Sequence, residues 1–275
     1  MREEVILAVD QGTTGSKAII LNSKGIVLSS HTVEFSQIFP QNDFVEHNPE
    51  ELWASLVEAI KISTVKAKID PKAIRCIGIT NQRETTVIWD KTTGKSLQNA
   101  IVWQCKRTLP ICKKLKEAGY ENLFHRKTGL LLDPYFSGTK MKWFLENLSL
   151  PNNKKIALGT IDSFLLFRMT NGASFATEPS NASRTLLCNL QGKWDQELLD
   201  ILAIPLHMLP EIKNSNATFG FTNGLGFLPD GIPITGMLGD QQAALMGQVC
   251  FLKNEAKCTY GTGSFIMMNL GAQPI

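Results

Sequence analysis

The sequence lacks the features of membrane, secreted and metal-cluster proteins. No apolar run approaches the roughly 20 residues of a membrane-spanning helix, and the first residues, MREEVILAVDQG, contain no apolar stretch of signal-peptide length. The six cysteines form no CxxC pair and have no histidine at metal-ligand spacing. We therefore expect a cytoplasmic protein whose cysteines are reduced.

A strong charge of one sign is also missing. The net charge is only +3, and the lysines and arginines are scattered along the chain rather than clustered. This distribution argues against nucleic acid and membrane surfaces as partners, while small anionic ligands remain possible. With 275 residues, 43% of them hydrophobic, and a mean hydropathy of -0.04, the chain is long and apolar enough to bury a sizeable core.

The most informative stretch is VILAVDQGTTGSKAII at residues 5–20, which predicts a β-hairpin. Its loop carries glycines that let backbone amides approach an anion, and hydroxyls that add donors, so it can hold phosphate oxygens. Asp10, at the end of the first strand, could orient a metal ion through the water shell of the ion. A polar hairpin turn without a ligand is the alternative, and the loop alone does not decide between them.

A second polar segment, NQRE at residues 81–84, interrupts two apolar strands predicted over residues 74–80 and 85–90. The Arg83 guanidinium donates hydrogen bonds and the Glu84 carboxylate accepts them, so together they could grip neighbouring hydroxyls of a polyol. The alternative is a solvated turn whose charges form a surface pair of little energetic weight.

A third apolar strand, residues 232–238, ends in Gly239 and Asp240 before a helix of small residues. Asp240 could cap that helix, or it could accept the proton of an attacking hydroxyl in phosphoryl transfer. The motif does not separate the two roles. Residues 257–268 then repeat the opening design, a strand, a Gly-Thr-Gly turn and a strand, which suggests a site held from two sides.

Other segments predict scaffold. NPEE at residues 48–51 predicts a helix start in which the Asn caps the helix and the last Glu completes a capping box. Ser137 is predicted to cap a later helix, and Tyr135 before it either packs on the core or faces a ligand. Residues 156–169 predict a strand and an amphipathic helix. TEPSNASR at residues 177–184 predicts a polar loop with a structural role.

Seven segments span nearly the whole chain: DQGTTGSK (10–17), NQRETTVIWD (81–90), AIVWQCKRT (100–108), YFSGTKMKWFLEN (135–147), NASRTLL (181–187), GDQQAALMGQ (239–248) and TYGTGSF (259–265). Together they resemble the FGGY family of carbohydrate kinases. The resemblance implies an α/β, ribonuclease H-like fold of the actin and Hsp70 ATPase superfamily, with a mixed sheet and flanking helices. It places the site in a cleft between two domains.

The resemblance further implies transfer of the γ-phosphoryl group of ATP to glycerol with Mg²⁺, giving sn-glycerol 3-phosphate, in a longer homo-oligomeric parent. It makes Asp240 the catalytic base and Asp10 the residue that orients Mg²⁺. The nucleotide-binding residues would be Thr13, Thr14, Gly15, Lys17 and Thr262. The glycerol-binding residues would be Arg83, Glu84, Trp103, Tyr135, Asp240, Gln241 and Phe265.

Two departures from the family pattern affect these expectations. The first loop of the family commonly reads TTSSR, whereas here Gly15 lacks a hydroxyl and Lys17 lacks the planar fork of arginine, so phosphate contacts would differ in strength. Family members also continue for roughly as many residues again and include the adenosine pocket. We expect residues 1–254 to form the N-terminal, polyol-binding domain and residues 255–275 to be the opening strands of a truncated second domain.

Three functions are therefore compatible with the sequence. The longer parent is expected to phosphorylate glycerol, or else another sugar or polyol of the same family. The 275-residue chain by itself is expected to be an inactive fragment, which leaves a non-catalytic glycerol-binding module as the third hypothesis.

Overall fold

The computed structural model describes residues 4–150, 155–261 and 263–272. Its strands are β1 (Val5–Gln11), β2 (Gly15–Asn22), β3 (Val27–Glu34), β4 (Glu46–His47), β5 (Ile74–Asn81), β6 (Thr86–Asp90), β7 (Ala100–Ile101), β8 (Ile156–Thr160), β9 (Ala176–Thr177), β10 (Glu211–Ile212), β11 (Gly220–Phe221), β12 (Pro233–Gly239), β13 (Ala256–Tyr260) and β14 (Ser264–Met268). Its helices are α1 (Pro49–Lys66), α2 (Leu109–Glu117), α3 (Glu121–Thr128), α4 (Ser137–Asn147), α5 (Ile161–Met169), α6 (Pro179–Ala182), α7 (Gln196–Leu202) and α8 (Asp240–Gly247).

A mixed six-stranded sheet with the order β11-β12-β5-β1-β2-β3 carries the predicted opening hairpin. β1 and β2 pair antiparallel, whereas β5 pairs parallel with both β1 and β12. The register places Asn81 beside both Gln11 and Gly239. The carboxyl ends of the three parallel strands therefore meet at one edge, where ligands of open α/β sheets bind.

The polar segment after β5 is the point where the chain leaves one sheet for another. β6 belongs to a four-stranded sheet with the order β4-β7-β6-β8, so residues 82–85 cross between the sheets. Both flanking strands form as their apolar patterns predict. This crossing explains why polar residues interrupt buried β-structure at this position.

The buried residues form two hydrophobic clusters, and the four-stranded sheet contributes side chains to both of them, such as Trp89 to the first and Ile88 to the second. Leu52, Leu56 and Ile60 recur at helical spacing on α1 and are buried against the six-stranded sheet. A second cluster, which includes Phe124 and Phe144, covers the four-stranded sheet with α2, α3, α4 and α7. The amphipathic pattern predicted for α5 is wrong: this helix contacts β5, β6, β8 and β9 and is buried on nearly all sides.

The start of α1 forms as predicted except for the capping box, and Pro49 is the first residue of the helix. Asn48 is the N-cap, and its side-chain oxygen accepts the backbone N–H of Glu50 at 2.9 Å. The capping box is not completed, because the Glu51 carboxylate accepts the backbone N–H of Ser36 at 3.2 Å. Glu51 thus ties the segment after β3 to the helix.

Ser137, predicted as a cap, and Asp240, for which capping was one of two alternatives, each follow the residue that is the N-cap. Phe136 rather than Ser137 is the N-cap of α4, and the Ser137 hydroxyl donates to the backbone carbonyl of Glu84 at 3.1 Å. Gly239 is the N-cap of α8, so Asp240 is the first residue of that helix. The Ser137 hydroxyl therefore binds the polar crossing. The Asp240 carboxylate accepts the backbone N–H of Gln241 at 2.7 Å in the first turn of α8, and it also accepts Arg83 Nε from the crossing. Among the described helices, none is long and apolar enough to cross a membrane.

Candidate active site

A cavity of about 160 Å³ opens where β1, β5 and β12 end. It brings most of the predicted site residues together although they come from distant parts of the chain. Its lining residues are Thr13, Thr14, Arg83, Glu84, Trp103, Tyr135, Asp240, Gln241, Thr259, Gly261, Gly263 and Phe265. Of the other predicted site residues, Thr262 lies outside the described residues, and the described Asp10, Gly15 and Lys17 are not among the lining residues.

One side of the cavity is formed by an ion pair between Arg83 and Asp240. Arg83 Nε donates to Asp240 Oδ1 at 3.1 Å, and the exposed fractions of the two side chains are 4% and 36%. The guanidinium is therefore buried while the carboxylate remains open to the cavity. Gly239 makes this packing possible, because a Cβ atom there would lie 2.5 Å from Arg83 Cδ.

A second ion pair holds Glu84, which is 2% exposed. Arg184 Nε donates to Glu84 Oε1 at 2.7 Å. Glu84 also has a φ of 61°, a left-handed conformation that costs a non-glycine residue about 1–3 kcal/mol. Such a conformation persists only where surrounding contacts enforce it, so the structure fixes the direction of this carboxylate closely.

Three aromatic rings form the apolar wall. The rings of Trp103 and Tyr135 meet edge to face with centroids 5.9 Å apart, and those of Trp103 and Phe265 are 6.1 Å apart. Burial, together with the Glu84 carboxylate, raises the pKa of Tyr135 to about 12, so its phenol stays protonated and can donate a hydrogen bond. The indole Nε1 of Trp103 donates to Thr13 Oγ1 at 2.9 Å. The wall is thereby linked to the first glycine loop.

The first loop is held from beneath by three side-chain amides. Gln11 and Gln82 both donate to the carbonyl oxygen of Gly12, at 2.8 and 2.9 Å. Gln37 donates to the carbonyl oxygen of Thr13 at 3.0 Å. These bonds direct the loop carbonyls toward the protein and leave Thr13 and Thr14 lining the cavity.

Asp10 lies one residue before the end of β1, opposite Lys17 on β2 and Thr80 on β5. Burial raises the pKa of Asp10, the nearby Asp240 carboxylate raises it further, and the Lys17 ammonium opposes both effects. The two carboxylates thus repel one another, which a divalent cation would relieve.

A magnesium ion fits this donor set. Within residues 4–150, 155–261 and 263–272, no group of three or more His, Cys, Asp or Glu side chains could hold a metal ion. Mg²⁺ does not require one, since it typically binds through one or two carboxylates together with substrate phosphates and water.

The structure shows the surroundings of Gly15 and Lys17, the two residues at which the first loop departs from the family pattern. A Cβ atom on Gly15 would lie 2.9 Å from the carbonyl oxygen of Val33, so the close approach of β3 explains glycine at this position. Lys17 lies on β2 directly across from Asp10 rather than at the cavity wall.

Sequence reasoning missed three basic residues near the site. Arg184 lies in the segment predicted to be only structural, yet it binds Glu84. Lys257 donates to the side-chain oxygen of Gln241 at 2.5 Å and so orients that amide beside Asp240. Lys140, on α4, is the third. The sequence offered no signal for these residues beyond their positive charge.

Comparisons with known proteins identify the family and the fold that the chain shares. A sequence model of the FGGY family of carbohydrate kinases, N-terminal domain, matches residues 5–247. The chain is 52% identical over 277 residues to the glycerol kinase of Bdellovibrio bacteriovorus, covering 98% of this chain and 56% of that protein. It is 50% identical over 280 residues to the glycerol kinase of Oceanobacillus iheyensis, covering 100% and 56%. The chain thus spans about half the length of the curated relatives it matches.

Solved structures show the same fold. The structure of Plasmodium falciparum glycerol kinase with ADP matches with a TM-score of 0.88 at 35% identity, covering 97% of this chain and 54% of that one. The gluconate kinase of Lactobacillus acidophilus matches with a TM-score of 0.86 at 24% identity, covering 96% and 54%, and this likeness concerns the fold alone. The predicted α/β, actin- and Hsp70-like fold is confirmed.

Proposed function

The chain belongs to the FGGY family of carbohydrate kinases, and we propose that it supplies the polyol-binding half of an ATP-dependent kinase that converts glycerol to sn-glycerol 3-phosphate. The observation that carries this proposal is the pair of ion pairs at one small cavity, Arg83 with Asp240 and Arg184 with Glu84. Relatives about half identical to the chain are glycerol kinases, which supports glycerol as the polyol.

The cavity offers complementary groups for a short polyol. The guanidinium of Arg83 and the phenol of Tyr135 can donate to hydroxyl oxygens, while the carboxylates of Glu84 and Asp240 can accept hydroxyl protons. The ring of Trp103, which lines the cavity, provides an apolar surface for the carbon chain. The ion pairs hold Arg83, Asp240 and Glu84 in place before the substrate binds, which reduces the entropic cost of binding.

Asp240 is the proposed general base. Its carboxylate is bonded to Arg83 on one side and remains 36% exposed on the side of the cavity, so it can accept the proton of a hydroxyl that attacks the γ-phosphate. Phosphoryl transfer depends mainly on positioning and charge stabilisation. The rigid pairing of Asp240 and Arg83 provides positioning.

The nucleotide phosphates would contact the first loop through Thr13, Thr14, Gly15 and Lys17, and Thr262 is proposed as a further nucleotide-binding residue. Mg²⁺, held near Asp10, would neutralise charge on the transferring phosphoryl group. Thr13 and Thr14 of the first loop line the cavity, and the carbonyls of Gly12 and Thr13 are bonded to side-chain amides. This orientation supports contact with an anion at that position.

Residues 1–254 are proposed to form the N-terminal domain, and residues 255–275 to begin a second one. β13 and β14 pair with each other in a separate two-stranded sheet, and Tyr260 and Ile266 are 84% and 77% exposed. Because relatives are nearly twice as long, the adenosine pocket is proposed to lie in the remaining half. The isolated chain should therefore bind glycerol weakly, bind ATP negligibly and show no turnover in calorimetry and kinase assays.

The decisive test joins this chain to the C-terminal remainder of the Bdellovibrio bacteriovorus relative and measures phosphorylation of glycerol, xylulose, gluconate and erythritol. We expect a clear preference for glycerol. In that fusion, Asp240→Asn should lower kcat by about 10²–10⁴-fold, the usual contribution of a general base, and leave glycerol affinity within about tenfold. Asp200→Asn on α7, outside the cavity, is the matched control. Retained turnover in Asp240→Asn would contradict the base assignment, and preference for another polyol would contradict glycerol.

A further inference from the structure

Lys140 is an unusual residue for its position. It lies on α4 and is fully buried, although burial of an ammonium group is costly and lysine is almost never fully buried unless paired. Burial lowers the pKa of Lys140 to about 8, an effect that the nearby Glu84 carboxylate opposes. Such a costly group requires an explanation from its contacts.

The ammonium of Lys140 contacts the backbone of two cavity residues at once. Nζ donates to the carbonyl oxygen of Glu84 at 3.3 Å and also to the carbonyl oxygen of Tyr135. Glu84 lies in the crossing between the sheets, and Tyr135 precedes α4. One side chain therefore links the two segments that present a carboxylate and a phenol to the same cavity.

The Glu84 carbonyl receives further donors besides Lys140. Ser137 Oγ and Thr86 Oγ1 each donate to it at 3.1 Å. Glu84 adopts its left-handed conformation with this carbonyl turned toward α4 and its carboxylate bonded to Arg184. The contacts on the backbone thus determine where the carboxylate is held. Of the donors to the Glu84 carbonyl found among the described residues, Lys140 is the one that also donates to the Tyr135 carbonyl.

We propose that Lys140 is a positioning residue for polyol recognition, which fixes the distance between the Glu84 carboxylate and the Tyr135 phenol without touching the substrate. This inference rests on the proposed function, because it assumes that the cavity takes a polyol. A purely structural role, in which Lys140 only joins α4 to the crossing, is the competing explanation. The two differ in selectivity: loss of positioning changes which hydroxyls are recognised, whereas loss of packing weakens all ligands alike.

The test uses the 275-residue chain and calorimetric titration with glycerol, propane-1,2-diol and propane-1,3-diol. Lys140→Met keeps the length of the side chain but removes the donors, and it should weaken glycerol binding by about tenfold or more. Affinity for the diols, which lack one hydroxyl, should fall less, so the preference for glycerol over the diols should shrink. Lys140→Gln retains one donor group and should give an intermediate preference, and it serves as the readout if Lys140→Met does not fold.

Lys142→Met is the matched control, since Lys142 lies on the same helix, pairs with Glu146 at 3.1 Å and is outside the cavity. It should leave the glycerol preference unchanged. Equal loss of affinity for all three ligands in the Lys140 variants, or no loss at all, would overturn the positioning role.

Hydrogen exchange can test the role of Lys140 independently of whether the cavity binds a polyol. If the wild-type chain binds no polyol, the proposed function loses its support at this cavity, and exchange in residues 82–86 then decides the role of Lys140. Faster exchange there in Lys140→Met than in Lys142→Met would show that Lys140 holds the backbone of Glu84, which the positioning role requires, and equal exchange rejects that role.

Discussion

Two turns rich in glycine and threonine contribute to the same cavity, but they are supported very differently. The first joins β1 and β2, which lie inside the six-stranded sheet between β5 and β3. The second, at residues 261–263, joins β13 and β14, which form a two-stranded sheet with exposed side chains. Both turns arise from the same sequence pattern of strand, glycine turn and strand.

The support beneath the first turn extends beyond the three amides that hold its carbonyls. His47 is fully buried, and its ring nitrogens lie 2.8 Å from Gln37 Oε1 and 3.4 Å from Gln82 Nε2. The ring thus joins two of the amides that contact the loop. Near the second turn, Lys257 bonds to Gln241 and Thr259 at 2.5 Å each.

The difference shows that a turn motif determines local geometry and its surroundings determine stability. A two-stranded hairpin alone is marginally stable in water, whereas strands within a larger sheet with a packed face are stable. We infer that the first turn is a fixed part of the site and that the second is fixed only when another part of the protein covers its strands.

The largest expected contrast is in hydrogen exchange. Backbone amides of β1 and β2 should exchange only through near-global unfolding, while those of β13 and β14 should exchange through local opening. We expect protection of the first pair to exceed that of the second by about a thousandfold or more, which corresponds to roughly 4 kcal/mol. Exchange measured by NMR or mass spectrometry on the isolated chain tests this, and comparable protection would remove the proposed distinction.

Sequence patterns predicted the turns themselves but not their support. Alternating apolar residues predicted β1 and β2, and the polar residues Asp10, Arg83 and Asp240 at strand ends predicted a shared site. These signals are local. The bond between Arg184 and Glu84 joins residues 100 positions apart, and no periodicity encodes which distant arginine reaches a carboxylate.

Burial of polar residues was the other feature that the sequence did not reveal. Lys140 lies in a helix whose pattern predicts core at other positions, and His47 precedes a helix start without any motif. Whether such a side chain is buried depends on the packing of two sheets and several helices. The crossing of residues 82–85 between sheets is likewise a consequence of tertiary structure.

Acidification should weaken the support of the first turn. Burial lowers the pKa of His47 from 6.5 to about 4, so the unfolded chain binds more protons than the folded chain between these values. Stability contributed by neutral His47 is therefore present above pH 6.5 and lost as the pH falls toward 4, by up to about 3 kcal/mol. In His47→Asn this pH-dependent loss should be absent, as measured by urea denaturation from pH 7 to pH 4. Parallel pH profiles for the two proteins would contradict this role.

Removing one of the side-chain amides that hold the first turn should destabilise the protein by a smaller but still measurable amount. Gln82→Met leaves the Gly12 carbonyl, the Gln11 side chain and the Thr85 hydroxyl each without one partner. We expect a loss of about 2–3 kcal/mol in the free energy of unfolding, because buried polar groups would be unsatisfied. Thr259→Val in β13 is the comparison and should cost less than about 1 kcal/mol, since the hairpin opens before global unfolding. Equal losses would mean that both turns are part of one cooperative unit.

The smallest expected change in stability comes from replacing a glycine in each of the two turns by alanine. Gly15→Ala places a methyl group 2.9 Å from the carbonyl oxygen of Val33, so strain should exceed the entropic gain of alanine in the unfolded state and destabilise the protein by about 1 kcal/mol. Gly261→Ala meets only the Gly263 carbonyl oxygen, at 4.0 Å, and should change stability by no more than about 0.5 kcal/mol. Thermal and urea unfolding of both variants measure the contrast. A neutral Gly15→Ala would mean that β3 can move away from the first turn, and the rigidity that we assign to this turn would then have to come from the amides beneath it alone.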